Sequence, residues 1–536
     1  MNKVNLQPIQ KNNFFLMSNT VRILWCDDEA DLLRPQIKFL EDKGYELATA
    51  TNGFDALDMI KEASYDILFL DESMPGMNGL EVLSKVKELR PYLPVVMITK
   101  NEEENLMDDA IGSQIADYLI KPVRPTQLQL TIKKIIDNKR LIEVKTTSNY
   151  QQEFQKIFVQ FSNNETWQDW VETYKKLIYW EIELDKAGNS DMFEVLTMQK
   201  KEANVEFYKF FTKNYINWIN KPSKETPILS HHLFQSKILP KIKEETPTVM
   251  VLIDNLRFDQ WRVIQPMISE LFTIHDEDVF FSILPASTQY SRNAIFAGMT
   301  PLEIEKKYPN WWKNDEEEGG KNLYEKDLLL EQIKRLSRNS IKADYTKVTN
   351  HADALVLEDN ILNKLNNNLS VIVYNFVDML SHARTEMEVL KELASDEAAY
   401  RSLTVSWFEH SPLHNALKKL AQRKVNIIIT TDHGTIRVID PSKIVGDKNT
   451  TTNLRYKHGK NLAYEKRDVF EVRNPHEAGL PKPNVSSAFV FAKENIFFAY
   501  PNNYNHYVNY YRNTFQHGGV SLEEIIVPVI YCSSKV

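Results

Sequence analysis

A short run of β-branched residues that ends in a carboxylate and an imidazole constrains this chain more than any other stretch. The run is Val425–Thr435, VNIIITTDHGT. It predicts a buried strand that delivers Asp432 and His433 to its carboxyl end. In open α/β sheets the ligand crevice lies beyond the carboxyl ends of the strands. The stretch therefore predicts an α/β domain with two potential metal ligands at one site.

Two further apolar runs end in the same way. Thr248–Ile253, TVMVLI, is followed by Asp254, and Val371–Val377, VIVYNFV, is followed by Asp378. His382 comes four residues after Asp378, so a helix that begins there would place both side chains on one face. Oxygen and nitrogen donors of this kind suit zinc, and manganese less well.

The C-terminal part adds a third histidine, His517, in the sequence QHGG, ahead of Val520–Tyr531, which predicts another strand. Three carboxylates and three histidines are more ligands than one tetrahedral ion needs, so two ions are expected. The alternative for any single residue is structural, because an Asp after a strand often caps a helix. Repeated placement at strand ends favours metal binding for the set.

Length and composition set the outer limits. The 536 residues, 43% of them hydrophobic, predict three to four soluble domains. A net charge of -8 disfavours non-specific binding to duplex nucleic acid. Cys26 and Cys532 fall in predicted strands, so buried free thiols are expected rather than a disulfide. Residues 1–19 predict a disordered extension without a signal peptide, Met17 could be the true start, no segment predicts a membrane span, and the expected location is cytoplasmic.

From Val21 the pattern alternates strand and helix five times in about 120 residues. This predicts a flavodoxin-like, doubly wound domain. The polar residues at its strand ends are Asp27, Asp28, Asp71, Thr99 and Lys121. In this order they resemble the receiver domain of response regulators, over residues 20–140.

The receiver resemblance implies that Asp71 accepts a phosphoryl group and that Asp27 and Asp28 help it to hold Mg²⁺. Thr99 would contact the phosphoryl group, and Lys121 would pair with it. Clustered carboxylates do favour a hard divalent ion, and a lysine with a hydroxyl can stabilise a transferred phosphoryl group. The alternative is a flavodoxin-like fold without phosphorylation.

Tyr118 would be the switch aromatic of this domain, and Lys121–Pro122 would carry a cis bond. Receivers that resemble this one pair through the face beside Tyr118, so a phosphorylation-dependent homodimer is expected. The stretch from Thr126 to Gln152 predicts a helical connector about 40 Å long. That length exceeds a Debye length of ~8 Å, so phosphorylation would act mechanically and not through its electric field.

Residues 141–245 predict a helical linker bundle, because aromatic and aliphatic residues recur at helical spacing. Its tryptophans are interpreted as core residues rather than as a ligand platform: Trp167, Trp170, Trp180 and Trp218.

Residues 246–536 contain one more motif, Pro285–Asn293, PASTQYSRN. A hydroxyl on a loop between metal ligands can be a nucleophile, because a bound divalent ion lowers its pKa. Thr288 is the candidate, with Ser287 as the alternative. Together with the strand-end ligands and the flanking DNLRFD and HGGVSLEEIIVP, the motif resembles the alkaline phosphatase superfamily and, within it, the PglZ branch.

That resemblance implies two zinc sites, one from Asp378, His382 and His517 and the other from Asp254, Asp432, His433 and Thr288. Arg292 and Arg257 could bind a substrate phosphoryl group, with an ordinary surface salt bridge as the alternative for each. Trp311–Gly320 and Asp447–Asn461 have the character of insertions, and a solvated charge run is favoured over a cover on the crevice.

A receiver, a helical linker and a PglZ-type domain in this order resemble the PorX-type regulators of Bacteroidetes, which are associated with type IX secretion. The resemblance implies a cognate histidine kinase, contacts with secretion or transcription machinery, and phosphodiesterase action on nucleotides or oligonucleotides. A phosphorylation-controlled, metal-dependent phosphodiesterase is the favoured function. The alternatives are a signalling scaffold with a structural metal site and a DNA-binding regulator, the latter disfavoured because no helix-turn-helix follows the receiver.

Overall fold

The structure is a computed structural model that describes residues 21–90, 93–100, 115–188, 190–336, 341–375, 396–447, 450–484 and 486–536. Asp378, His382 and the extension of residues 1–19 lie outside these ranges. The chain divides into two compact units, Met1–Ser148 with Lys186–Gly188 and Asn149–Asp185 with Asn189–Val536. Each unit is described in turn.

The first unit is a parallel sheet with helices. Its strands are β1 Arg22–Cys26, β2 Glu46–Ala50, β3 Ile67–Asp71, β4 Val95–Thr99 and β5 Asp117–Ile120, and its helices are α1 Arg34–Glu41, α2 Gly53–Glu62, α3 Gly79–Leu89 and the first part of α4 Pro125–Asn163, with a 3₁₀ turn at Ala30–Leu33. The strand order is β2-β1-β3-β4-β5, and each neighbouring pair is parallel. The predicted flavodoxin-like, doubly wound fold is confirmed.

Alternate residues of these strands supply two separate cores. Leu24 and Leu68 are buried on one face of the sheet, and Trp25 and Phe69 on the other, with ring centroids 5.4 Å apart. Successive side chains of a strand point to opposite faces, so a strand covered on both faces is apolar throughout. Polar residues are therefore displaced to the strand ends.

The second unit contains the remaining elements. Its further helices are α5 Trp167–Ala187, α6 Ser190–Asn220, α7 Ser230–Leu233, α8 Phe258–Leu271, α9 Asn293–Ala297, α10 Pro301–Lys307, α11 Glu325–Leu336, α12 His351–Asn360, α13 Glu397–Glu409, α14 Pro412–Ala421, α15 Tyr504–Tyr511 and α16 Leu522–Ile525. Its π-helical turns are Phe234–Ile238 and Thr288–Arg292, and its 3₁₀ turns are Leu239–Lys241, Ile361–Asn366, Lys466–Asp468 and Pro475–Ala478. Its strands are β6 Thr248–Ile253, β7 Phe272–Phe281, β8 Ala343–Val348, β9 Leu369–Tyr374, β10 Asn426–Thr430, β11 Ile436–Arg437, β12 Asp440–Val445, β13 Tyr456–Gly459, β14 Ala463–Tyr464, β15 Val469–Val472, β16 Ala488–Ala492, β17 Ile496–Ala499, β18 Phe515–Gln516 and β19 Ile526–Ser534.

The main sheet of this unit has the order β7-β19-β10-β6-β9-β8. The strands β10, β6, β9 and β8 are parallel to one another. At one side, β19 pairs antiparallel with both β10 and β7, so β7 runs in the same direction as the parallel strands. Register pairs Thr430 with Leu252 and Ile253 with Tyr374, so the residues that follow β10, β6 and β9 meet at one edge. The predicted placement of polar residues after β6 and β10 is confirmed.

The helices of residues 149–220 pack into the same hydrophobic core as the main sheet. Trp170, Trp180 and Trp218 are buried in it, and the Trp167 and Phe281 rings lie 6.2 Å apart. The interpretation of these tryptophans as core residues is confirmed. The predicted linker bundle and the predicted C-terminal domain, separated in sequence at residue 245, therefore share one hydrophobic core.

The strand predicted over Val520–Tyr531 is wrong in its first part. Ser521 caps the helical turn α16, because its hydroxyl oxygen accepts a hydrogen bond from the backbone N–H of Glu524 at 3.2 Å. β19 begins only at Ile526. The sequence signal was present, since Ser-x-x-Glu is the pattern of a capping box.

The predictions about the two cysteines and about membrane spans can also be compared with the structure. Cys26 and Cys532 are free and buried, as predicted. Across the described helices, none combines the length and the apolar composition that a membrane crossing requires.

Candidate functional site

The carboxyl edge of the main sheet brings three predicted ligands together. Ligand atoms of Asp254, Asp432 and His433 lie within 4.8 Å of one another, and all three residues are buried. The backbone N–H of Asp254 donates to the carbonyl oxygen of Tyr374 at the end of β9, 2.9 Å away. Burial raises the pKa of the Asp254 carboxyl. Burial is also the largest influence on Asp432, but the charges of Arg292 and His433 and hydrogen bonds from the backbone together hold the pKa of Asp432 below its usual value.

The imidazole of His433 has the orientation that a zinc ligand needs. Its Nδ1 lies 3.1 Å from the carbonyl oxygen of Gly434, which can only accept, so Nδ1 carries the proton. The other ring nitrogen, Nε2, faces the cluster, 3.8 Å from Asp254 Oδ1 and 3.8 Å from Asp432 Oδ2. A carbonyl that fixes the tautomer is common behind metal-bound histidines. Two carboxylates and this nitrogen are donors that zinc accepts.

His517, which the PglZ resemblance assigns to a second zinc site, lies beside His433. Its ring stacks on that of His433, with centroids 4.3 Å apart and an interplanar angle of 24°. Its Nδ1 lies 3.3 Å from the carbonyl oxygen of Ala286. Asp378 and His382, the other predicted ligands of that site, lie outside the described residues, so the second site stays a prediction.

One hydroxyl of the PASTQYSRN motif enters the cluster. Thr288 begins the π-helical turn Thr288–Arg292, called here the Thr288 turn. Its Oγ1 lies 3.3 Å from Asp254 Oδ1 and 3.1 Å from His433 Nε2. Ser287 precedes the turn in extended backbone, and its hydroxyl oxygen makes no hydrogen bond to Asp254, Asp432 or His433 among the described residues. Position therefore favours Thr288 over Ser287.

Arg292 is buried inside this cluster, so the surface salt bridge considered for it is wrong. Its Nε donates to Asp432 Oδ2 at 2.9 Å, and its guanidinium also pairs with Asp254. Its Nη1 donates to Asn375 Oδ1 at 3.2 Å and lies 3.6 Å from Glu325. A guanidinium between two buried carboxylates offsets their mutual repulsion. Contact between Arg292 and a substrate phosphoryl group stays a prediction.

Arg257 is also buried, and the surface alternative is wrong for it as well. Its guanidinium pairs with Asp259 and, at 2.6 Å, with Glu397. It lies over the rings of Tyr400 and Phe515, 5.5 and 5.2 Å from their centroids. Carboxylates from α8 and α13 thus neutralise its charge, and the buried ion pairs connect these two helices.

The turn after β10 is held by the segment that precedes β19. The N–H of Gly434 donates to the carbonyl oxygen of Glu524 at 3.2 Å. A Cβ at position 434 would lie 2.0 Å from the carbonyl oxygen of Glu523, so this close approach requires glycine. The Glu524 carboxylate is in turn paired with the buried Arg455 at 2.6 Å. Contacts distant in sequence therefore hold the turn that carries Asp432 and His433.

A second segment, Lys313–Asn322, packs against the Thr288 turn. The hydrogen bonds run from Gln289 Nε2 to the Lys313 carbonyl at 2.9 Å, from Asn322 Nδ2 to the Thr288 carbonyl at 3.1 Å, from Asn293 Nδ2 to the Lys321 carbonyl at 3.1 Å, and from the Tyr290 hydroxyl to Asp315 Oδ2 at 2.8 Å. The solvated interpretation of Trp311–Gly320 holds for the exposed Glu316–Gly320 and is wrong for the buried Trp312. It is also wrong for Asp447–Asn461, where Arg455 is fully buried.

Asp315 predicts a pH dependence of stability. It accepts hydrogen bonds from the Tyr290 and Tyr456 hydroxyls, and burial raises its pKa from 3.8 to about 6. Between these values the folded chain holds a proton that the unfolded chain has released, so the free energy of unfolding falls as pH rises. The loss is about 2 kcal/mol. Urea unfolding at several pH values should show a fall in stability that is smaller by this amount in Asp315→Asn than in the wild type.

The matched control for this measurement is Asp344→Asn. Asp344 is partly exposed, and although burial acts on it, its ion pair with Lys364 lowers its pKa. That substitution should leave the fall in stability between about pH 4 and pH 6 in place. If Asp315→Asn keeps the same fall as the wild type, the Asp315 carboxyl is not the group that takes up the proton.

Sequence reasoning missed three polar residues of this region. Asn375 bonds to Arg292, Glu325 pairs with Arg292, and Asn322 bonds to the carbonyl of Thr288. Asn375 directly follows β9, so a polar residue at a third strand end was an available signal. Glu325 and Asn322 have no comparable local signal, since only the folded chain brings them near.

The first unit has a cluster of its own. Ligand atoms of Asp27, Asp28 and Asp71 lie within 4.8 Å of one another. Lys121 Nζ lies 2.9 Å from Asp27 Oδ2 and 2.9 Å from Asp71 Oδ1. Burial raises the pKa of Asp71, and the bond from Lys121 opposes the rise. Three carboxylates, with Asp28 exposed to solvent, are an all-oxygen donor set of the kind that Mg²⁺ prefers.

The remaining predicted residues of this unit lie near the same edge. Thr99 is buried at the end of β4, and Lys121 N–H donates to its carbonyl oxygen at 2.8 Å. Tyr118, on β5, is 49% exposed. The Lys121–Pro122 bond is cis, as the receiver resemblance implied.

Three families match consecutive parts of the chain. Residues 23–133 match the response regulator receiver domain, and residues 140–219 match the PorX response regulator linker domain. Residues 233–532 match the BREX system PglZ alkaline phosphatase-like domain, which is more than half of the chain.

Individual relatives match the receiver part. The alginate biosynthesis transcriptional regulatory protein AlgB of Pseudomonas putida is 37% identical over 123 residues, 23% of this chain and 28% of that protein. ResD of Bacillus subtilis is 34% identical over 119 residues, 22% of this chain and 49% of that protein, so the chain spans at most half of these relatives. The response regulator TrrA of Thermotoga maritima, solved with Mg²⁺-BeF, is 29% identical, with a TM-score of 0.20 over 22% of this chain and 99% of that one. The chain thus belongs to the PglZ alkaline phosphatase-like family and has the receiver, linker and PglZ architecture of PorX-type response regulators.

Proposed function

We propose that phosphorylation of this response regulator at Asp71 controls a zinc-dependent phosphodiesterase in its PglZ domain. The enzymatic part is carried by one observation, the position of the Thr288 hydroxyl within 3.3 Å of Asp254 and 3.1 Å of His433. A scaffold with a structural metal site needs ligands, but it does not need a hydroxyl directed at them. The arrangement therefore favours an enzyme over a scaffold.

Two zinc ions and one magnesium ion are proposed. One zinc ion would be held by Asp254, Asp432 and His433 beside Thr288, the other by His517 with Asp378 and His382, and Mg²⁺ by Asp27, Asp28 and Asp71. When bound, zinc lowers the pKa of a neighbouring hydroxyl and neutralises charge on a phosphoryl group.

The residues of the chain would divide the chemistry between them. Thr288 Oγ1 forms a bond to phosphorus while the bond from phosphorus to the leaving alkoxide breaks. Asp254 Oδ1, 3.3 Å away, takes the hydroxyl proton, and that proton then passes to the alkoxide, which leaves as an alcohol. Water then attacks phosphorus in the threonine-linked phosphodiester, and the bond from phosphorus to Thr288 Oγ1 breaks. A phosphomonoester is released, and a proton from the water regenerates the Thr288 hydroxyl. Arg292 holds Asp254 and Asp432 in position throughout.

The substrates are proposed to be nucleotides or oligonucleotides, as the resemblance to PorX-type regulators implies. A cognate histidine kinase would phosphorylate Asp71, and contact with a secretion-system or transcription-machinery protein would regulate type IX secretion. Phosphorylation would act through pairing of two receivers beside Tyr118, because an exposed aromatic face suits contact with a second copy.

Metal removal tests the enzymatic part. Full-length protein treated with a chelator should lose hydrolysis of bis(p-nitrophenyl) phosphate and regain it with zinc. Asp432→Asn should bind less zinc and stay inactive, whereas Asp440→Asn, a change at an exposed aspartate, should match the wild type. A stripped protein that keeps its full rate would contradict the role of zinc. Zinc binding without any hydrolysis by the wild type would favour the scaffold.

A further inference from the structure

A small cavity lies at the same sheet edge as the metal ligands and is not used by the proposed chemistry. It has a volume of about 250 Å³ and lies at the carboxyl ends of β8 and β9, whose last residues, Val348 and Tyr374, are paired in register. Ligand pockets in open α/β sheets occur at this edge. The volume is below the roughly 300–1,000 Å³ of sites for whole drug-sized ligands, so it suits one ring system of a larger ligand.

The lining of this cavity combines two large aromatic rings with small polar side chains and two imidazoles. Trp407 and Tyr374 form one wall, with ring centroids 5.7 Å apart, and the exposed imidazoles of His351 and His410 stand at the rim. No Asp, Glu, Lys or Arg occurs among the described residues that line it. Aromatic walls with polar groups at the rim fit a planar, uncharged ring with hydrogen-bonding edges better than they fit a phosphate or a sugar.

Two contacts join the cavity to the metal cluster. The carbonyl oxygen of Tyr374 accepts the backbone N–H of Asp254 at 2.9 Å. Asn375, which also lines the cavity, accepts a hydrogen bond from Arg292 at 3.2 Å, and Arg292 holds Asp254 and Asp432. Neighbouring strands lie only about 4.8 Å apart, so one ligand can reach from Asp254, directly after β6, to the end of β9.

We propose that this cavity is the subsite for a nucleobase of the substrate, stacked on Trp407. The inference rests on the proposed function, since it assigns the base of a nucleotide whose phosphodiester lies at Thr288. It makes Trp407 a substrate-contacting residue that discriminates nucleotide diesters from simple alkyl diesters.

Two substrates that share one leaving group test the subsite. Thymidine 5′-(p-nitrophenyl phosphate) carries a base, and ethyl p-nitrophenyl phosphate does not, so the ratio of their kcat/KM values isolates the base. Trp407→Ala should lower this ratio roughly 5- to 150-fold, the usual effect of removing one aromatic ring from a stacked base. The change should appear mainly in KM for the thymidine ester, with kcat/KM for the ethyl ester unchanged.

Three variants guard against a folding artefact. Trp407→Phe keeps an aromatic face and should retain most of the ratio. His351→Ala removes an exposed rim side chain with little cost to packing and should lower the ratio in the same direction as Trp407→Ala. Trp167→Ala removes another partly buried tryptophan, in the linker helices, and should leave the ratio unchanged. An unchanged ratio in both Trp407→Ala and His351→Ala would overturn the subsite.

Binding of adenosine 5′-monophosphate, measured by calorimetry against ribose 5-phosphate, separates this inference from the proposed function. If the wild type hydrolyses neither ester but Trp407→Ala still weakens binding of the nucleotide alone, the subsite stands and the phosphodiesterase proposal fails. If hydrolysis is normal while Trp407→Ala weakens both ligands equally or neither, the subsite fails and the phosphodiesterase stands.

Discussion

Thr288→Val is expected to lower kcat for phosphodiester hydrolysis by about 10³-fold or more, because it removes the oxygen that would bond to phosphorus. Valine keeps the shape of threonine, and the π-helical turn is held by bonds from Asn322 and Gln289 that do not use the Thr288 hydroxyl. Zinc content should therefore remain close to that of the wild type. Initial rates with bis(p-nitrophenyl) phosphate, measured beside zinc content, check this result.

The control for this prediction is the adjacent hydroxyl. Ser287→Ala should retain most of the activity, since the hydroxyl that contacts Asp254 and His433 is that of Thr288 and not that of Ser287. Loss of activity in Ser287→Ala with retention in Thr288→Val would move the nucleophile by one residue. Retention in both variants would require a different oxygen, such as water, to attack phosphorus.

Asp71→Asn is expected to abolish labelling of the receiver by acetyl phosphate, because it removes the acceptor carboxylate while preserving the size of the side chain. Asp71 ends β3, and its carboxylate lies 2.9 Å from Lys121 Nζ, which can stabilise the charge of an incoming phosphoryl group. Two further acids, Asp27 and Asp28, would repel that group unless Mg²⁺ neutralised them, so labelling should also need Mg²⁺. Intact-protein mass spectrometry with and without chelator measures both effects.

Asp58→Asn is the matched control, because Asp58 is an exposed aspartate of α2 that pairs only with Lys61 among its described contacts. Labelling at the wild-type level is expected for it. Persistent label in Asp71→Asn would identify another acceptor. The same pair of variants, followed by light scattering with beryllofluoride and Mg²⁺, reports whether association depends on Asp71.

The local sequence pattern was sufficient to predict which residues lie at the ends of strands. An apolar, β-branched run must be buried, and a charged residue directly after it must leave the core, so Asp254, Asp432 and Asp71 could be placed at sheet edges from sequence. The short helix at Leu522–Ile525 was missed, although Ser521 and Glu524 form a capping pattern, because the apolar run around them outweighed it. Where a strand pattern and a helix-capping pattern overlap in sequence, local pattern alone did not decide which structure forms.

Sequence by itself determined the receiver fold and the placement of Asp254 and Asp432 directly after apolar strands. The first follows from the regular alternation of strand and helix patterns, and the second from the position of each carboxylate after a run of apolar residues. Only the tertiary structure decided that Thr288 and not Ser287 approaches the ligands, that Arg292 is buried between two carboxylates, and that Asp315 anchors Tyr290. It also decided that the helices of residues 149–220 share the core of the main sheet, where Arg401 pairs with Glu181 at 2.9 Å across 220 residues of sequence. These features depend on which distant side chains compensate a buried charge, and burying a charge is unfavourable unless such a partner is present.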